Sequence, residues 1–399
     1  MRLLFLTPQY PYPPHKGTTL RNYHVIAGLA ARHTIDLLSF SEAPPGPSPL
    51  DRLCRRIAMV RSRPRSNYRR AIDTLLSPWP DMGLRLWSPE YARQLQTWLA
   101  DGEYDVLQIE GIELARYGLS LAPTGTPLIV FDDHNAEYLL QQRIAQIEIE
   151  ARGWNAGALY SSLQARKLRG FERRICHRTD RVVAVSEADA AAIRQLDPAL
   201  KVQVVPNGVD TLFNRRESIE PIDLPPHALV FTGTMDFRPN VDAALWFAHE
   251  VLPLVRQTLP DAHFVIVGQH PHARLNGLRA DPSIVITGAV EDTRPYIAAA
   301  AVYVIPLRMG GGTRLKLLEA MAMAAPIVST TLGAEGFPIT HGRELWLADD
   351  PGSFARSIVD LIQQPECGQA LGRAARSFVV ERYDWQQIVP KFEEVYRRY

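Results

Sequence analysis

Arg308–Thr330 reads RMGGGTRLKLLEAMAMAAPIVST. The apolar run VYVIPL ends at Leu307, Gly310, Gly311 and Gly312 follow, and a stretch with helical apolar spacing begins. The spacing predicts strand, glycine loop and helix, with Arg314 and Lys316 in the helix's first turn. A helix N-terminus exposes N–H groups and carries partial positive charge, so it favours carboxylates. Two cations there make sense if an anion from outside the chain docks on the helix start. Glycine lets a backbone come close to such a ligand, and strand–glycine–helix is a phosphate-binding arrangement. A flexible glycine turn, with Lys316 and Glu319 as a plain i,i+3 surface pair, accounts for the same letters equally well. No GxxxxGK[ST] loop occurs, and no GxGxxG follows the first strand.

Outward from this stretch the chain repeats one pattern. RLLFLT, TIDLLSF, YDVLQIEG, PLIVFDDHN and RVVAVSEADAAAIRQL carry short apolar runs, and amphipathic stretches such as LRNYHVIAGLAARH separate them. The pattern restarts with HALVFTGTM, then NVDAALWFAHEVLPLVRQTL, HFVIVG, SIVITG and VYVIPL. Apolar runs alternating with helices indicate parallel strands covered on both faces. The Pro-, Asn- and Gly-rich segment VVPNGVDTLFNRRESIEPIDLPPH is a linker signal. The expected fold is α/β: two doubly wound, Rossmann-like domains facing a central cleft, with ligands beyond the carboxyl ends of the strands.

Composition sets bounds on function. The 399 residues are 46% hydrophobic and 22% charged, with a formal net charge of +1, an ordinary balance with no field for nucleic acid. Three scattered cysteines, Cys54, Cys176 and Cys367, form no CxxC pair, which argues against a zinc or disulfide framework and fits a reducing cytoplasm. MRLLFLTPQYPYPP is too short for a signal segment, and no apolar run is long enough to span a bilayer. One local exception is Arg52–Arg70, with eight arginines and no acid. Such a run is usually a solvated face; docking on anionic lipid is the sharper reading, with Tyr68, Trp79 and Trp87 at the interface.

GGGTRLKLLEAMAMAAPIVST resembles the donor-site motif of the GT-B glycosyltransferases of family 4. That family usually carries Glu-x7-Glu here. Glu319 matches the second Glu, which the resemblance assigns to the nucleotide ribose, and Gly311 stands where the first, sugar-contacting Glu would be. FTGTMDFRPNVDAALWF resembles the opening of the family's C-terminal domain, with Gly233 after its first strand and Arg238 near a phosphate-binding basic position. ITGAVEDTRPYIAAAAVYVIPLR resembles the base-binding loop, with Gly288 and Val290 beside the base. FDDHNAEY, VAVSEADAAAI, VVPNGVD and the terminal VVERYDWQQIVPKFEEVYRRY complete the likeness over nearly the whole chain.

The resemblance implies an acceptor-side domain over residues 1–210, joined by the terminal crossover helix of residues 380–399, and a nucleotide-sugar domain over residues 225–379. It implies a retaining, metal-independent transfer of a sugar from a nucleotide diphosphate sugar to a carbohydrate or lipid-linked hydroxyl acceptor. Cell-surface polysaccharide or glycolipid assembly is the implied setting, in the cytoplasm or at the inner face of the membrane, with no cofactor beyond the co-substrate. The expected catalytic residues are His134, Arg314 and Lys316. The expected donor-binding residues are Gly17, Gly233, Arg238, Gly288, Val290, Gly310, Gly311, Gly312, Thr313 and Glu319. A loop histidine tied to Asp132 or Asp133 is the plain alternative for His134, and a simple loop glycine that for Gly17. His15, Lys16, Glu110 and Gly111 are candidates for the acceptor side, and Glu335 for the donor side, each with a turn or solvated loop as its bland alternative. Two other functions fit the same fold: a non-catalytic binding subunit and a nucleotide-sugar epimerase.

Overall fold

The computed structural model describes residues 1–43, 46–62, 65–121, 126–310 and 314–397. Gly311, Gly312 and Thr313 lie outside the described residues. The chain divides into two compact units, Met1–Asn207 with Ile388–Tyr399, and Gly208–Gln387.

The first unit is built on seven strands: β1 (Arg2–Thr7), β2 (Thr34–Ser41), β3 (Arg56–Arg61), β4 (Val106–Glu110), β5 (Leu128–Asp133), β6 (Arg181–Ala184) and β7 (Val202–Val204). They pair in parallel in the order β3-β2-β1-β4-β5-β6-β7. Leu3, Leu4, Phe5 and Leu6 of β1 are all fully buried, because a central parallel strand is covered on both faces and needs apolar residues throughout. The strand order reverses between β1 and β4, so Thr7, Glu110 and the residue after β5, His134, come to the carboxyl edge at the switch point. The last helix, Trp385–Val395, closes this unit. Phe392 lies 5.1 Å beneath the Arg21 guanidinium, and the Tyr396 hydroxyl donates to Gln108 Oε1 (3.2 Å).

The second unit carries β8 (Ala228–Thr232), β9 (His263–Val267), β10 (Ile284–Gly288), β11 (Val302–Ile305), β12 (Ile327–Ser329) and β13 (Trp346–Leu347), ordered β10-β9-β8-β11-β12-β13 and parallel. Its switch point lies between β8 and β11. The glycine loop after β11 and the turn after β8 therefore share one edge of the sheet.

Three short strands, β3, β7 and β13, are absent from the sequence reading. β3 is hidden within the arginine run, where RIAMVR forms a sheet edge beside β2. The helix after the glycines spans Leu315–Ala322. Arg314 is its N-cap residue with φ −83° and ψ 70°, so only Lys316 of the two cations lies in the first turn. The Arg314 side chain is buried, 4.0 Å from Glu335.

Candidate functional site

Glycines stand at the carboxyl ends of β8, β9 and β10, and their spacing is what opens the site. A Cβ on Gly268 would fall 1.7 Å from the Gly233 carbonyl oxygen. A Cβ on Gly233 would fall 2.7 Å from Lys316 Nζ and 2.7 Å from Asn240 Nδ2. Gly233 N–H donates to Val267 O (3.0 Å), and Gly268 N–H to Gly288 O (3.2 Å). Glycine lets the three turns stack and lets a lysine head reach the backbone. Gly288, with φ +75°, borders open space, and Val290 packs against the unit's core.

Two helix N-termini converge on that lysine. Lys316, in the first turn of Leu315–Ala322, donates to Asn240 Oδ1 (2.8 Å) in the first turn of Arg238–Trp246. Asn240 is buried and its Nδ2 donates to Thr234 O (2.9 Å), which fixes the amide so that oxygen faces the lysine. Neither helix has an acid in its first turn. Gly310, at φ +121°, is also packed at this corner: a Cβ there would lie 3.3 Å from Pro239 Cγ and 3.4 Å from an Arg314 terminal nitrogen. Arg238 is the first residue of its helix and exposed. The corner therefore gathers two positive helix ends and the cations Arg314 and Lys316, with Glu335 4.0 Å from Arg314.

Lys316 is under strong electrostatic pressure. Its Nζ sits 4.3 Å over the Phe231 ring. Burial first, and the charge of Arg314 second, push its pKa down to about 7, with Glu319 opposing. Burial raises the Glu319 carboxyl, with Lys316 opposing. The plain surface-pair reading therefore does not hold: the lysine's hydrogen bond goes to Asn240, and Glu319 is one turn farther along the same helix. Asn240 and Gly268 were not read as site residues from sequence. The one signal for Gly268 was its place just after the apolar run HFVIV.

In the first unit, His134 lies directly after β5 and its Nε2 is 2.7 Å from Glu110 Oε2 at the end of β4. The sequence alternatives for its partner, Asp132 and Asp133, are both engaged elsewhere. Asp132 receives Arg21 Nε (2.9 Å) and Nη2 (3.2 Å), and Arg21 also donates to the carbonyls of Val205 and Pro206 and to Asn207 Oδ1. Arg21 and Asp132 are both almost fully buried. Asp133 is buried beside Glu172, whose carboxylate accepts the Glu137 and Tyr138 N–H groups (2.9 Å each) and so caps the helix that follows His134. Burial, then the Glu172 charge, push the Asp133 carboxyl well up, and burial brings Glu172 to about 7. Burial would lower the His134 imidazole. The hydrogen bond to Glu110 and the charges of Asp132 and Glu110 outweigh it, and the pKa is raised.

Glu110, Asp132 and His134 place one donor atom each within 4.8 Å of one another, close enough for a metal ion by distance alone. The chemistry of the set points elsewhere. Arg21 holds both Asp132 oxygens and Glu110 holds the imidazole Nε2, so the cluster is internally paired. Gly17 is the first residue of the helix Gly17–Ala30, with Lys16 as its N-cap and His15 before it, also at the carboxyl edge after β1. Gly111, at φ +83°, lies against the His134 ring.

Five of the eight arginines in the run are ion-paired. Arg55 and Arg56 pair with Asp36 (2.5 and 2.7 Å), Arg65 and Arg69 with Asp73 (2.9 and 3.3 Å), and Arg65 and Arg70 with Asp81. Those acids lie outside Arg52–Arg70, which is why the run looked unopposed in sequence. Trp79 and Trp87 are partly buried. Trp87 stacks on Tyr117 with centroids 5.0 Å apart, Trp79 meets Phe171 edge-on at 5.5 Å, and both pack against the core. What is exposed is the apolar face of the helix Asn67–Leu76. Tyr68, Leu75 and Leu76 are 78%, 78% and 81% exposed, while Thr74 on the opposite side is buried and holds Gln164 Nε2 (3.4 Å). This helix is turned inside out.

Comparison with known proteins follows these features. Residues 15–212 match the model for glycosyltransferase family 4, and residues 226–364 that for glycosyl transferases group 1. A Klebsiella pneumoniae protein of 44.6 kDa from a cps region is 26% identical over 40% of this chain, an alignment that spans 43% of that protein. The phosphatidyl-myo-inositol mannosyltransferase of Mycolicibacterium smegmatis is 25% identical over 78% of this chain and 75% of its own. Among solved structures, sucrose-phosphate synthase of Thermosynechococcus elongatus matches with a TM-score of 0.72 at 17% identity, covering 100% of this chain and 98% of that one. HepE of Anabaena, in complex with UDP and glucose, matches at 0.66 and 14% identity, covering 99% and 98%. The two family models fall in order on the two halves of the chain, and both parallel sheets have the architecture of these structures; the chain belongs to the family 4-like glycosyltransferases of the GT-B fold.

Proposed function

We propose that this protein transfers a sugar from a nucleotide diphosphate sugar to a hydroxyl acceptor, with retention at the anomeric carbon and without a metal ion. The observation that carries this reading is the convergence of two acid-free helix N-termini on Lys316, with Arg314 and the Gly233 turn beside it. The chemical difficulty in such a transfer is the leaving diphosphate. Fixed positive groups aimed at its developing charge are the largest single aid a protein can give. Arg314 and Lys316 take this role, with Gly310 to Gly312 and Thr313 offering backbone N–H groups. Glu319 takes the ribose hydroxyls, Gly288 and Val290 flank the base, and Gly17 and Arg238 add to phosphate binding. His134 contacts the donor sugar. The bond from the anomeric carbon to the phosphate oxygen breaks and a bond to the acceptor oxygen forms on the same face. The departing phosphate accepts the acceptor's proton.

Support for the donor class comes from the UDP held by HepE, and support for a lipid-linked acceptor from the phosphatidyl-myo-inositol mannosyltransferase. Assembly of cell-surface polysaccharide or glycolipid fits both. No described helix is long and apolar enough to cross a membrane. The outward apolar face of Asn67–Leu76, fringed by Arg69, is the surface we propose for docking on the inner face of an anionic membrane. Flotation with anionic and with neutral vesicles tests this. Leu75→Glu with Leu76→Glu should abolish flotation, and equal flotation of both proteins would remove the proposal.

The transferase reading is tested with a panel of UDP-, GDP-, ADP- and dTDP-sugars, by thermal shift and by turnover, in the wild type and in Arg314→Ala with Lys316→Ala. A ligand at a hundred times its Kd stabilises the folded state by about 2.7 kcal/mol. A shift with one nucleotide, lost in the double variant, together with acceptor-dependent release of nucleoside diphosphate, is the expected result. Gly311 at the usual Glu position is the one feature that favours a non-catalytic subunit. Binding with no turnover would support that second reading, interconverted donor without acceptor would indicate an epimerase, and no shift with any nucleotide would overturn the donor site.

A further inference from the structure

The His134 imidazole is held from behind by a buried chain of polar groups. Glu110 is 1% exposed, and its Oε2 lies 2.7 Å from His134 Nε2. Its Oε1 accepts from Gln108 Nε2 (3.0 Å), and Gln108 Oε1 accepts from the Tyr396 hydroxyl (3.2 Å). The amide orientation of Gln108 follows from these two bonds, because Tyr396 must donate to one end if Glu110 accepts from the other. With Glu110 as a carboxylate both of its oxygens accept, and the hydrogen of the 2.7 Å bond is then the imidazole's N–H. A buried carboxylate that lost it would face an unprotonated ring nitrogen lone pair at 2.7 Å, a repulsive and poorly solvated pair.

The consequence lies at the other ring nitrogen. With Nε2 carrying hydrogen toward Glu110, Nδ1 is left as the atom that meets anything arriving at the site. It points toward Gly111: a Cβ built there would lie 3.8 Å from Nδ1 and 3.2 Å from Glu113 Oε2. Gly111, at φ +83°, puts no side chain over that nitrogen, and His134 keeps 14% of its side chain exposed. No described residue hydrogen-bonds to Nδ1.

We propose that Glu110 is the positioning residue for His134, fixing the Nε2–H tautomer so that Nδ1 is the ring atom left to meet a bound ligand. Neutral, the ring offers a hydrogen-bond acceptor to a sugar hydroxyl. Protonated, it offers a charged donor. The choice between these states is set by the groups around the ring: Glu110 on β4, Glu113 after it, Asp132 on β5, Arg21 on the helix Gly17–Ala30, Glu137 at the start of the following helix, and Tyr396 behind Glu110. Arg21 opposes protonation of the ring, and the acids Glu110 and Asp132 favour it. Removing the Glu110 charge alone would leave burial in command, and the imidazole would fall below its present value.

This assignment rests on the transferase reading only for its kinetic arm. The structural arm is an NMR titration of histidine ring nitrogens in the free, ligand-free full chain, with His134 assigned by His134→Gln. In the wild type we expect the Nε2–H form above the ring's pKa. In Glu110→Gln, a mixed tautomer and a downward pKa shift of at least one unit are expected. Glu110→Asp retains the charge but withdraws it by one methylene. It should keep most of the raised pKa while losing the single tautomer, which separates positioning from charge. With the donor selected in the panel, Glu110→Gln should lower kcat about tenfold or more while donor KM stays within about twofold, with the acid limb of the pH profile moved down. An unchanged tautomer and pKa in both variants would overturn the proposal, as would a raised KM with kcat intact. Absence of turnover in the wild type would instead overturn the transferase reading and leave the NMR arm standing.

Discussion

Nucleotide-sugar binding should draw a proton onto Lys316. Burial first, and the charge of Arg314 second, push this lysine's pKa down to about 7 in the ligand-free protein. A diphosphate at the same corner adds negative charge and reverses that balance. The sign is then determined. Below pH 7 the lysine is already charged and affinity is fully present. Above pH 7 each binding event must first protonate it, and affinity falls by up to tenfold per pH unit until the pKa of the complex is reached. Each unit is worth about 1.4 kcal/mol, so from the acid plateau to pH 9 the loss is about 2.7 kcal/mol, or about a hundredfold in Kd. If the ligand restored the ordinary lysine value, the ceiling would be about 4.8 kcal/mol. Proton uptake should be about 0.1 per donor at pH 6 and about 0.9 at pH 8, from the free-state titration alone. Calorimetry in buffers of different ionisation heat measures this directly. A nucleotide sugar suits the experiment better than a nucleoside diphosphate, whose terminal phosphate titrates in the same range. Lys316→Arg should remove this slope because guanidinium keeps its charge. A flat profile in wild type, or an unchanged slope in Lys316→Arg, would refute the argument.

Other consequences concern the scaffold beneath the site. Arg21→Met leaves Asp132 buried without its cation, and equilibrium denaturation should show a loss of about 3–5 kcal/mol, part of it recovered by adding Asp132→Asn. No recovery in the double variant would mean that Arg21 acts through the Val205 and Pro206 carbonyls instead. Gly268→Ala should cost about 3 kcal/mol or more, since its Cβ would meet the Gly233 carbonyl oxygen at 1.7 Å and backbone must move. Gly277→Ala, with nothing within 4 Å, should stay within about 0.5 kcal/mol of wild type in the same melt.

Much of the fold was legible because its signals are local. An apolar run such as RLLFLT in a central parallel strand is apolar at every position, and a helix between such runs shows its spacing in the letters. The strands missed were the ones whose stability is not local: β3 is an edge strand carrying arginines, and β7 and β13 have only three and two residues. Motif order named Gly233, His134, Lys316 and Glu319 as candidates, and cations at a helix start implied an anion; of these the structure brings Gly233 and Lys316 together.

Partners were not legible, because a partner is chosen by tertiary distance and not by sequence spacing. Glu110 is 24 residues from His134, Asn240 is 76 from Lys316, and Arg21 is 111 from Asp132. The same reason reversed the arginine run. Eight cations without an acid in Arg52–Arg70 look like a basic patch, yet Asp36, Asp73 and Asp81 fold back onto five of them. By itself the sequence determined the two parallel sheets and the types of residue at their carboxyl edges, since burial and helical period act on neighbours in the chain. Only the tertiary structure decided which nitrogen of His134 is held and what pushes the Lys316 proton away. Both depend on charges and hydrogen bonds whose energy is set by separation and burial in space.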